Sequence, residues 1–586
     1  MGEAGELSPA AHAESLAKLR ETELDVLVIG GGVVGAGAAL DAATRGLRVG
    51  LVEARDWAAG TSSRSSKLIH GGLRYLQMLD FALVREALQE RGLLMERIAP
   101  HLVRPVPFLY PLITKFIQRP YIGAGIGLYD ALSLVGSKNT GLPIHKHLSR
   151  RAMLRKAPSL KPDAFVGAVR YYDAQVDDAR FVLSLVRTAT KYGAIAANRT
   201  SLVELLREDD RVVGARLRDE ETREEFNVRA KTVLSAAGVW THEVQSDASG
   251  EIPQGVAELK VRASKGIHLV VPRDRFHATT GLILQTAVSV LFVIPWGRHW
   301  VIGTTDTPWT LDKAHPAATS ADIDYLLGEV NKILVTPLTR ADVQGVYAGL
   351  RPLIEGDHES TAKLSREHVV TRPEPGFAVI AGGKFTTYRV MAKDAIDVIA
   401  SMLPGSVAES ITDDIPLVGA EGHQALWNSR ARLAERSGLS DAKIEHLLNR
   451  YGSLIHGVLE LIEKDPSLSE PLEGSEDYLR AEAVYAVTNE GARHLTDVLT
   501  RRTRVSIESW DRGVGAATTV AELMKPLLGW SDEYTQREIA SYHARVEAER
   551  ESQEQPTDEA ADAMRLSKHE RDWSSTPRFA SSPASK

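Results

Sequence analysis

The distribution of apolar positions predicts a strand, turn, helix and strand near the start of the chain. Val26–Ile29 is a short, continuous apolar run, which is typical of a fully buried strand. A glycine turn follows, then a small-residue helical segment to about Arg45, and then a second apolar run over residues 48–52. This order indicates an α/β fold.

The period of the apolar positions changes further along the chain. Residues 81–98 have a 3.6-residue period and predict a long helix, whereas short alternating runs over 195–235 predict a β-meander that returns to the first sheet. Alternating runs over 260–370 predict an antiparallel second sheet. Residues 377–403 repeat the strand, glycine turn and helix, and after about residue 410 the pattern is mostly helical.

Composition excludes several classes of protein. The chain has 586 residues, 43% hydrophobic and 25% charged, which predicts two or three globular domains. A net charge of -7 without a basic arm predicts no nucleic-acid partner. The absence of cysteine excludes disulfides, thiolate metal sites and a cysteine nucleophile. Since no group of His, Asp and Glu has metal-ligand spacing, we also predict no metal.

Hydropathy predicts a cytoplasmic protein with at most peripheral membrane contact. Residues 1–23 are a polar extension without the apolar core of a signal peptide, and no run reaches the roughly 18 apolar residues of a membrane span. Basic and aromatic residues mix over 101–129 and suit an interfacial element, although an ordinary part of the second domain explains them almost as well. These residues are Arg104, Phe108, Tyr110, Lys115, Phe116, Arg119 and Tyr121.

The first turn carries a dinucleotide-binding signature. Gly30, Gly32 and Gly35 form G-x-G-x-x-G directly between a strand and a helix. The first glycine permits the turn, the second lets the backbone approach a diphosphate, and the third lets helix and strand pack closely. Glu53 ends the second strand, where a carboxylate can bind the ribose hydroxyls. These positions together predict a dinucleotide site.

A second glycine-rich turn favours FAD over NAD. Residues 381–390, AGGKFTTYRV, place another helix N-terminus in the same domain. In flavoproteins such a helix end can face the pyrimidine edge of the flavin, where negative charge accumulates on reduction. Because an NAD enzyme does not need this element, we predict FAD as the cofactor.

At the level of motifs, the chain resembles the FAD-dependent, quinone-linked sn-glycerol-3-phosphate dehydrogenases. The matching motifs, in chain order, are DVLVIGGGVVGAGAALDAATRGLRVGLVE, TSSRSSKLIHGGLRYL, DDAR, SAAGVW, SKGIHLVVP, PWGRHWVIGTTDT, GLRPL, GGKFTTYR and YAVTNEGARHLTDVLTRRTR. They extend from about residue 25 to 530. SSKLIHGGLRYL and GGKFTTYR are specific to this family and its glycerol-phosphate oxidase relatives. SAAGVW departs from the N-A-T/A-G-P-W that relatives often have, which affects only the detail of that flavin-side turn.

The resemblance implies a Rossmann-like FAD-binding domain, an inserted mixed or antiparallel-sheet substrate domain and a C-terminal helical domain. We assign residues 24–100, 165–260 and 370–405 to the FAD-binding domain, and 101–164 and 261–369 to the substrate domain. Residues 406–545 are expected to form the helical domain, and the polar residues 546–586 a disordered tail.

The resemblance also implies the reaction and the partners. Glycerol 3-phosphate is oxidised to dihydroxyacetone phosphate by hydride transfer to the flavin, and the electrons pass to a membrane quinone. This implies contact with the inner face of the cell membrane and is compatible with a homodimer. Such chemistry needs a base for the hydroxyl proton and fixed cations, ideally arginines, for the phosphate.

Three arginines are expected on the substrate side by resemblance, namely Arg74, Arg351 and Arg366. Arg74 and Arg351 lie among apolar and glycine neighbours, where an unpaired cation is unfavourable, so a ligand is the better explanation. Arg366 taken alone is better explained by a surface ion pair. Tyr75 can add a hydroxyl to the substrate oxygens.

His268 is the best candidate for the general base. A strand histidine is usually a satisfied polar residue, but in the family that the chain resembles the equivalent residue lies over the flavin. Lys265 and Lys384 are rivals for polarising the oxygen or neutralising the reduced flavin. We therefore assign catalysis to His268, Arg351 and Lys384.

The remaining candidates are expected at the cofactor. Thr61–Lys67 supply hydroxyl and basic donors near the diphosphate and ribityl chain, and Gly71 and Gly72 let the backbone pass close to the flavin. The complete predicted set is Gly30, Gly32, Gly35, Glu53, Thr61, Ser62, Ser66, Lys67, Gly71, Gly72, Gly238, Gly383, Lys384 and Thr386.

Other charged residues are interpreted as structural. Asp177, Asp178 and Asp306 are expected to cap turns or to pair with Arg180. The arginines of TRRTR (500–504) are expected to form interdomain ion pairs.

Three alternative functions remain open from the sequence. A glycerol-3-phosphate oxidase that uses O2 shares the same motifs. An amino-acid or amine oxidase of the same broad fold predicts a carboxylate site and turnover of glycine or D-amino acids. A flavin-binding scaffold predicts FAD that no glycerol phosphate reduces, but it leaves the substrate-side basic residues without a role.

Overall fold

A computed structural model describes residues 5–72, 81–114, 123, 125–129, 142–249, 259–286, 290–354 and 368–567. The strands within these residues are β1 (Leu24–Ile29), β2 (Val49–Val52), β3 (Leu68–Ile69), β4 (Arg104–Leu112), β5 (Lys146–Ser149), β6 (Gly167–Gln175), β7 (Ile195–Ala197), β8 (Thr200–Glu208), β9 (Arg211–Asp219), β10 (Glu225–Ser235), β11 (Val261–Pro272), β12 (Gly281–Gln285), β13 (Val290–Trp296), β14 (His299–Gly303), β15 (Thr307–Trp309), β16 (Gly345–Ile354), β17 (His368–Glu374), β18 (Phe377–Gly382), β19 (Pro471–Leu472) and β20 (Ser475–Leu479).

The α-helices in the same residues are α1 (Pro9–Glu21), α2 (Val33–Thr44), α3 (Phe81–Leu93), α4 (Arg150–Lys156), α5 (Asp178–Lys191), α6 (Thr241–Ser249), α7 (Ser320–Asn331), α8 (Tyr388–Ala400), α9 (His423–Asn428), α10 (Arg430–Ser437), α11 (Asp441–Tyr451), α12 (Ile455–Lys464), α13 (Arg480–Thr488), α14 (Leu495–Asp497), α15 (Val505–Glu508), α16 (Val514–Leu528), α17 (Asp532–Ser552) and α18 (Asp558–Ser567). A π-helical turn, Leu94–Ile98, continues α3 and completes the long helix predicted over 81–98.

The first sheet has a parallel core in the order β18-β10-β1-β2-β7. β17 pairs antiparallel with β18 at one edge, and β8 and β9 extend antiparallel from β10. Helices α2, α5 and α8 pack together and share a large apolar cluster with strand residues of this sheet. The predicted Rossmann-like domain and the returning β-meander are therefore confirmed.

The second sheet has the order β15-β11-β14-β13-β12-β4-β6-β3, with β16 paired to β11 and β5 paired to β6. Its pairs are antiparallel except β12 with β4, so the sheet is mixed, as predicted. The predicted domain bounds differ from the sheets most clearly at β3 and β6, which lie within the spans assigned to the FAD-binding domain but belong to the second sheet. β6 lies within the span assigned to the FAD-binding domain, yet it pairs with β4 along its full length because every residue of Gly167–Gln175 faces a β4 partner.

The interfacial interpretation of residues 101–129 is wrong for two of its aromatic residues. Phe108 and Tyr110 lie in β4 and are buried, with 0% and 8% of their surface exposed. Phe108 packs against Tyr171 and Phe292 because alternate β4 side chains face the core of the second domain. Lys115, Phe116, Arg119 and Tyr121 lie outside the described residues.

The C-terminal region is helical, as predicted, but it extends beyond the expected end of the domain. The prediction of a disordered tail from residue 546 is wrong up to Ser567, because α17 continues to Ser552 and α18 extends from Asp558 to Ser567. Ala561 is fully buried, and Asp558 forms an ion pair with Lys265 of β11. These long-range contacts stabilise a polar segment that composition alone assigns to solvent. Residues 568–586 lie outside the described residues.

The arginines of TRRTR form the predicted interdomain ion pairs. Arg501 and Arg502 contact the carboxylate of Asp56, which follows β2. Arg504 contacts both Asp177 and Asp178 at the start of α5. The side chain of Arg180 does not pair with those acids but with Glu490. Because most of these groups are buried, the first sheet and the C-terminal helices are joined through paired charges that water screens little.

Candidate active site

The glycine turn between β1 and α2 has no room for side chains at two of its positions. Gly30 has a φ of 112°, and a Cβ there would lie 2.6 Å from the carbonyl oxygen of Ala236. A Cβ on Gly35 would lie 1.8 Å from the carbonyl oxygen of Gly30. The turn therefore needs glycine for its tight bend and for the close approach of α2.

Polar groups around this turn have the arrangement expected of a dinucleotide site. The Glu53 carboxylate accepts hydrogen bonds from the backbone N–H groups of Gly31, at 2.7 Å, and Arg55, at 2.9 Å. Burial raises the pKa of the Glu53 carboxyl, and these two N–H groups oppose that rise. At the N-terminus of α2, Val33 N–H donates to Ser62 Oγ at 3.0 Å.

One cavity of about 560 Å³ brings together most of the predicted cofactor and substrate residues. A volume of this size is ordinary for a small-molecule or cofactor site. The predicted residues that line it are Gly30, Gly32, Glu53, Thr61, Ser62, Ser66, Gly238, His268, Arg351, Gly383, Lys384 and Thr386. The first and second sheets therefore contribute to the same cavity.

Some predicted cofactor residues lie elsewhere. Lys67 is buried in an ion pair with Asp178, at 2.8 Å, because a cation in the interior needs a carboxylate. Gly71 donates its N–H to the Tyr129 hydroxyl at 2.9 Å, and its own Cβ would collide with Leu88, so this glycine permits packing against α3. Neither residue lines the cavity.

Of the other predicted residues, Gly35 and Gly72 lie outside the lining of the cavity. Gly35 packs beneath the first turn, and Gly72 has a φ of 72° without lining the cavity. Arg74, Tyr75 and Arg366 lie outside the described residues.

His268 presents a neutral imidazole to the cavity. Its Nε2 is hydrogen-bonded to Ser66 Oγ at 2.8 Å, and its ring stacks on Tyr347 with centroids 4.7 Å apart. Its Nδ1 is buried and has no hydrogen-bond partner in the described part of the chain. Burial, and then the positive charges of Arg351 and Lys67, hold the pKa of His268 well below its ordinary value.

Arg351 lies on β16, directly beside β11. The register pairs Ser264 with Arg351 and His268 with Tyr347, so the histidine and the arginine come from neighbouring strands. The Arg351 guanidinium donates to Thr304 Oγ1 at 3.1 Å and to the Thr305 carbonyl at 3.2 Å. Its side chain remains 23% exposed, which leaves part of the guanidinium for a ligand.

The sequence did not identify three further residues that contact His268 and Arg351. They are two glycines and one acid. A Cβ on Gly266 would lie 2.6 Å from Arg351 Nη2, and one on Gly303 would collide with the His268 ring. Asp306, which was expected to cap a turn or pair with Arg180, lies 3.4 Å from Arg351 Nη1. The SKGIH and VIGTTD motifs contain these residues, but only the strand register shows what they contact.

The two lysines considered as rivals of His268 occupy different places. Lys265 lies on the opposite side of β11, because it is three residues from His268 and strand side chains alternate. It pairs with Asp322, at 2.6 Å, and with Asp558, and it does not line the cavity. Lys384 does line the cavity, in the turn that joins β18 to α8. His268 and Lys384 thus remain as candidates.

These residues fit FAD. The first glycine turn has no space for side chains, Glu53 stands at the ribose position, and a second glycine turn with Gly383 at a φ of 80° precedes α8 in the same cavity. His268 lines the same cavity, and its buried Nδ1 has no hydrogen-bond partner among the described residues. Fold and site together define a FAD-dependent oxidoreductase.

Comparison with known proteins assigns the family. Residues 25–397 match the model described as FAD dependent oxidoreductase, and residues 410–535 match the C-terminal domain of alpha-glycerophosphate oxidase. The chain is 54% identical over 564 residues to glycerol-3-phosphate dehydrogenase 2 of Mycobacterium tuberculosis, covering 96% of this chain and 95% of that protein. It is 38% identical to the mitochondrial glycerol-3-phosphate dehydrogenase of Homo sapiens, covering 91% and 74%. The chain belongs to the FAD-dependent glycerol-3-phosphate dehydrogenase family.

Solved structures agree with the fold. Glycerol-3-phosphate dehydrogenase from Bacillus halodurans, complexed with FAD, superimposes with a TM-score of 0.75 at 28% identity, covering 92% of this chain and 98% of that one. L-alpha-glycerophosphate oxidase from Mycoplasma pneumoniae has a similar fold, with a TM-score of 0.52 at 18% identity, covering 68% and 99%.

Proposed function

We propose that this protein oxidises sn-glycerol 3-phosphate to dihydroxyacetone phosphate in the cavity and passes the electrons to a membrane quinone. The observation that carries the proposal is the pair formed by a neutral His268 and a partly exposed Arg351 on neighbouring strands of the FAD cavity. A secondary alcohol with a phosphate group needs both a proton acceptor and a fixed cation.

Each residue has a defined task in this reaction. Bound FAD supplies the acceptor for the hydride that leaves C2 of the substrate. His268 takes the proton of the C2 hydroxyl, while Ser66 and Tyr347 hold the ring in place. Arg351 binds the oxygens of the substrate, and Lys384 contributes positive charge at the turn before α8.

The lowered pKa of His268 is compatible with a base. It keeps the imidazole neutral, and therefore able to accept a proton, at neutral pH. A bound phosphate dianion adds negative charge near the ring and raises its pKa, so the proton is accepted more readily when substrate is present. Family resemblance adds Arg74, Tyr75 and Arg366 to the substrate side of the proposal.

The substrate is tested by anaerobic titration of the purified FAD-bound protein. Glycerol 3-phosphate is expected to abolish the flavin absorbance near stoichiometry, whereas glycine and D-amino acids leave it unchanged. Glycerol without phosphate is the matched control for the role of the arginines. Persistence of the absorbance with glycerol 3-phosphate, together with its loss on adding an amino acid, would contradict the proposal.

The electron acceptor is tested separately. A glycerol-3-phosphate oxidase is the second candidate function, because residues 410–535 match a domain described from alpha-glycerophosphate oxidase. Quinone reduction under argon with little peroxide in air supports the dehydrogenase, and stoichiometric peroxide with slow quinone reduction supports the oxidase. On the family resemblance, we propose peripheral attachment at the inner face of the cell membrane. Separately, no helix within the described residues is long and apolar enough to cross a membrane.

A further inference from the structure

The buried carboxylate of Asp178, at the start of α5, accepts hydrogen bonds from two distant parts of the chain. Ser65 donates both its backbone N–H, at 2.9 Å, and its hydroxyl, at 2.7 Å. Lys67 donates from its Nζ at 2.8 Å, and Arg504 of the C-terminal region donates from its guanidinium. Because Asp178 is fully buried, water competes little with these bonds.

The first of these parts is the loop of residues 63–67, which we call the serine loop. Lys67 has a φ of 57°, a left-handed conformation that a lysine keeps only where its surroundings hold it. The Lys67 N–H donates to the Ser65 hydroxyl at 3.0 Å, and that hydroxyl donates in turn to Asp178. The backbone is therefore fixed on both sides of Ser66.

Ser66, which lies between the two loop residues that contact Asp178, contacts His268 instead. Its Oγ lies 2.8 Å from His268 Nε2. Tyr347, whose ring stacks on His268, donates its hydroxyl to the Ser65 carbonyl oxygen at 3.0 Å. Both groups that hold the imidazole thus depend on the serine loop, so a displacement of the loop moves the His268 ring.

Arg504 connects the serine loop to the C-terminal helical region. Its guanidinium contacts Asp177 and Asp178, and it also donates to the carbonyl oxygen of Ser63, the first residue of the loop, at 3.3 Å. Arg504 is itself buried. The C-terminal region therefore supports this loop in addition to pairing with the first sheet.

We propose that Asp178 is a positioning residue, which fixes the serine loop so that Ser66 keeps the ring of His268 oriented for proton transfer. Arg504 extends this role to the C-terminal helical region, although it does not line the cavity. The inference rests on the proposed function, in which His268 is the base. A misplacement of a reacting group by about 1 Å can lower a rate about 10²-fold, so such support affects the reaction.

The first experiment measures flavin reduction by glycerol 3-phosphate in the FAD-bound protein, using anaerobic stopped-flow absorbance. Asp178→Asn is expected to lower the limiting rate at saturating substrate about 10- to 100-fold, because the imidazole is no longer held in place. The substrate concentration that gives half of this rate is expected to stay close to that of wild type. A merely structural role of Asp178 predicts less FAD-bound protein but a wild-type limiting rate per bound FAD.

A double-mutant cycle tests whether Asp178 acts through Ser66. Ser66→Ala removes the hydroxyl that contacts His268, and Ser66→Thr, which keeps a hydroxyl, is expected to restore most of the rate. In the Ser66→Ala background, Asp178→Asn is expected to lower the limiting rate by at most about 3-fold, because both changes interrupt the same chain of contacts. The same factor in both backgrounds would contradict the proposal.

Two milder variants keep the proposal testable if Asp178→Asn does not fold. Ser65→Ala leaves every ion pair in place and removes one hydroxyl bond to Asp178, so it is expected to lower the limiting rate about 3- to 10-fold. Arg504→Met is expected to lower the rate less than Asp178→Asn, because Lys67 and Ser65 still contact the carboxylate.

Asp56→Asn is the matched control. Asp56 is another buried carboxylate of the same interface, but its partners Arg501 and Arg502 do not line the cavity and do not contact Ser66. This variant is expected to unfold more easily than wild type and to keep the wild-type limiting rate of flavin reduction.

Hydrogen exchange measured by mass spectrometry tests the loop without turnover. The N–H groups of Ser65 and Lys67 are hydrogen-bonded, so they are expected to exchange slowly in wild type. Asp178→Asn is expected to accelerate exchange in a peptide that contains the serine loop about 10-fold or more, whereas Asp56→Asn leaves it unchanged.

Three results would overturn the proposal. The first is a wild-type limiting rate in both Asp178→Asn and Ser65→Ala, and the second is unchanged exchange of the serine loop in Asp178→Asn. The third is an equal loss of rate in Asp56→Asn, which would assign the effect to general destabilisation. If glycerol 3-phosphate does not reduce the flavin of wild type, the proposed function fails, and the exchange measurement still decides whether Asp178 holds the loop.

Discussion

The interdomain interface and the FAD cavity both contain buried or half-buried cations, but the two regions pair them differently. In the interface, Arg502 and Arg504 each contact a buried carboxylate. In the cavity, the Arg64 guanidinium has no carboxylate partner among the described residues, and Arg351 has Asp306 at 3.4 Å together with neutral oxygens. Paired charges in the interface therefore join the domains, whereas the cations of the cavity lie where an anionic ligand can bind.

The largest expected effect concerns His268, which lines the cavity. In His268→Gln the residue can no longer take the hydroxyl proton, so the rate of flavin reduction by glycerol 3-phosphate should fall about 10²- to 10⁴-fold. FAD content should be unchanged. Anaerobic stopped-flow absorbance measures the rate. Reduction at the wild-type rate would assign the base to another residue, with Lys384 tested next.

The second prediction concerns an ion pair of the interdomain interface, between Asp56 and Arg502, and leaves the cavity unchanged. Asp56→Asn leaves Arg502 buried without its carboxylate and should lower the free energy of unfolding by about 3–5 kcal/mol. Urea unfolding of the holoenzyme measures this loss. Arg298→Met is the control, because its exposed pair with Glu476 contributes only about 0–1 kcal/mol. Similar losses in the two variants would contradict the structural role of the buried pairs.

The third prediction uses the pH dependence of a buried carboxylate within the C-terminal helices, that of Glu482 in α13. Burial would raise the pKa of Glu482, but His446 and Arg450 outweigh this effect and lower it from 4.5 to about 2. The ionised carboxylate therefore stabilises the fold above about pH 4.5, and this contribution, about 3 kcal/mol, is lost as the pH falls through about 2. Glu482→Gln should be less stable than wild type at pH 7, and the gap should narrow in acid. A gap that is constant with pH would argue against this linkage.

The fourth prediction concerns the substrate cation. Arg351→Ala should raise the KM for glycerol 3-phosphate about 100-fold, because a charge-assisted contact to the substrate is lost. FAD should still bind, and the free energy of unfolding should change much less than in Asp56→Asn. Steady-state kinetics and the flavin absorbance of the purified variant check both parts. Unchanged kinetics would remove Arg351 from the site.

The parts of the site that follow local rules could be predicted from the sequence. The glycine turn at Gly30–Gly35 depends on consecutive residues, so its spacing alone indicates its geometry. Lys67 shows where prediction from local sequence fails. Its surroundings in the sequence resemble those of a ligand-binding lysine, but in the structure it pairs with Asp178, which is 111 residues away. The stacking of His268 on Tyr347 likewise depends on the register of β11 and β16, which no local pattern specifies.

The sequence did not predict the helices at residues 546–567, and the reason is similar. Residues 546–567 are polar, and their helices are stabilised by distant partners, such as Lys265 for Asp558. The composition of a segment shows how polar it is, but it does not show which ion pairs the segment can form with the folded domain.

The most direct test of the account is product formation in a single turnover under argon. Purified FAD-bound protein is mixed with excess glycerol 3-phosphate without any external acceptor, and dihydroxyacetone phosphate is quantified. The account predicts one equivalent of dihydroxyacetone phosphate per FAD, formed as the flavin absorbance disappears. Loss of the flavin absorbance without dihydroxyacetone phosphate, or no reaction at all, would contradict it.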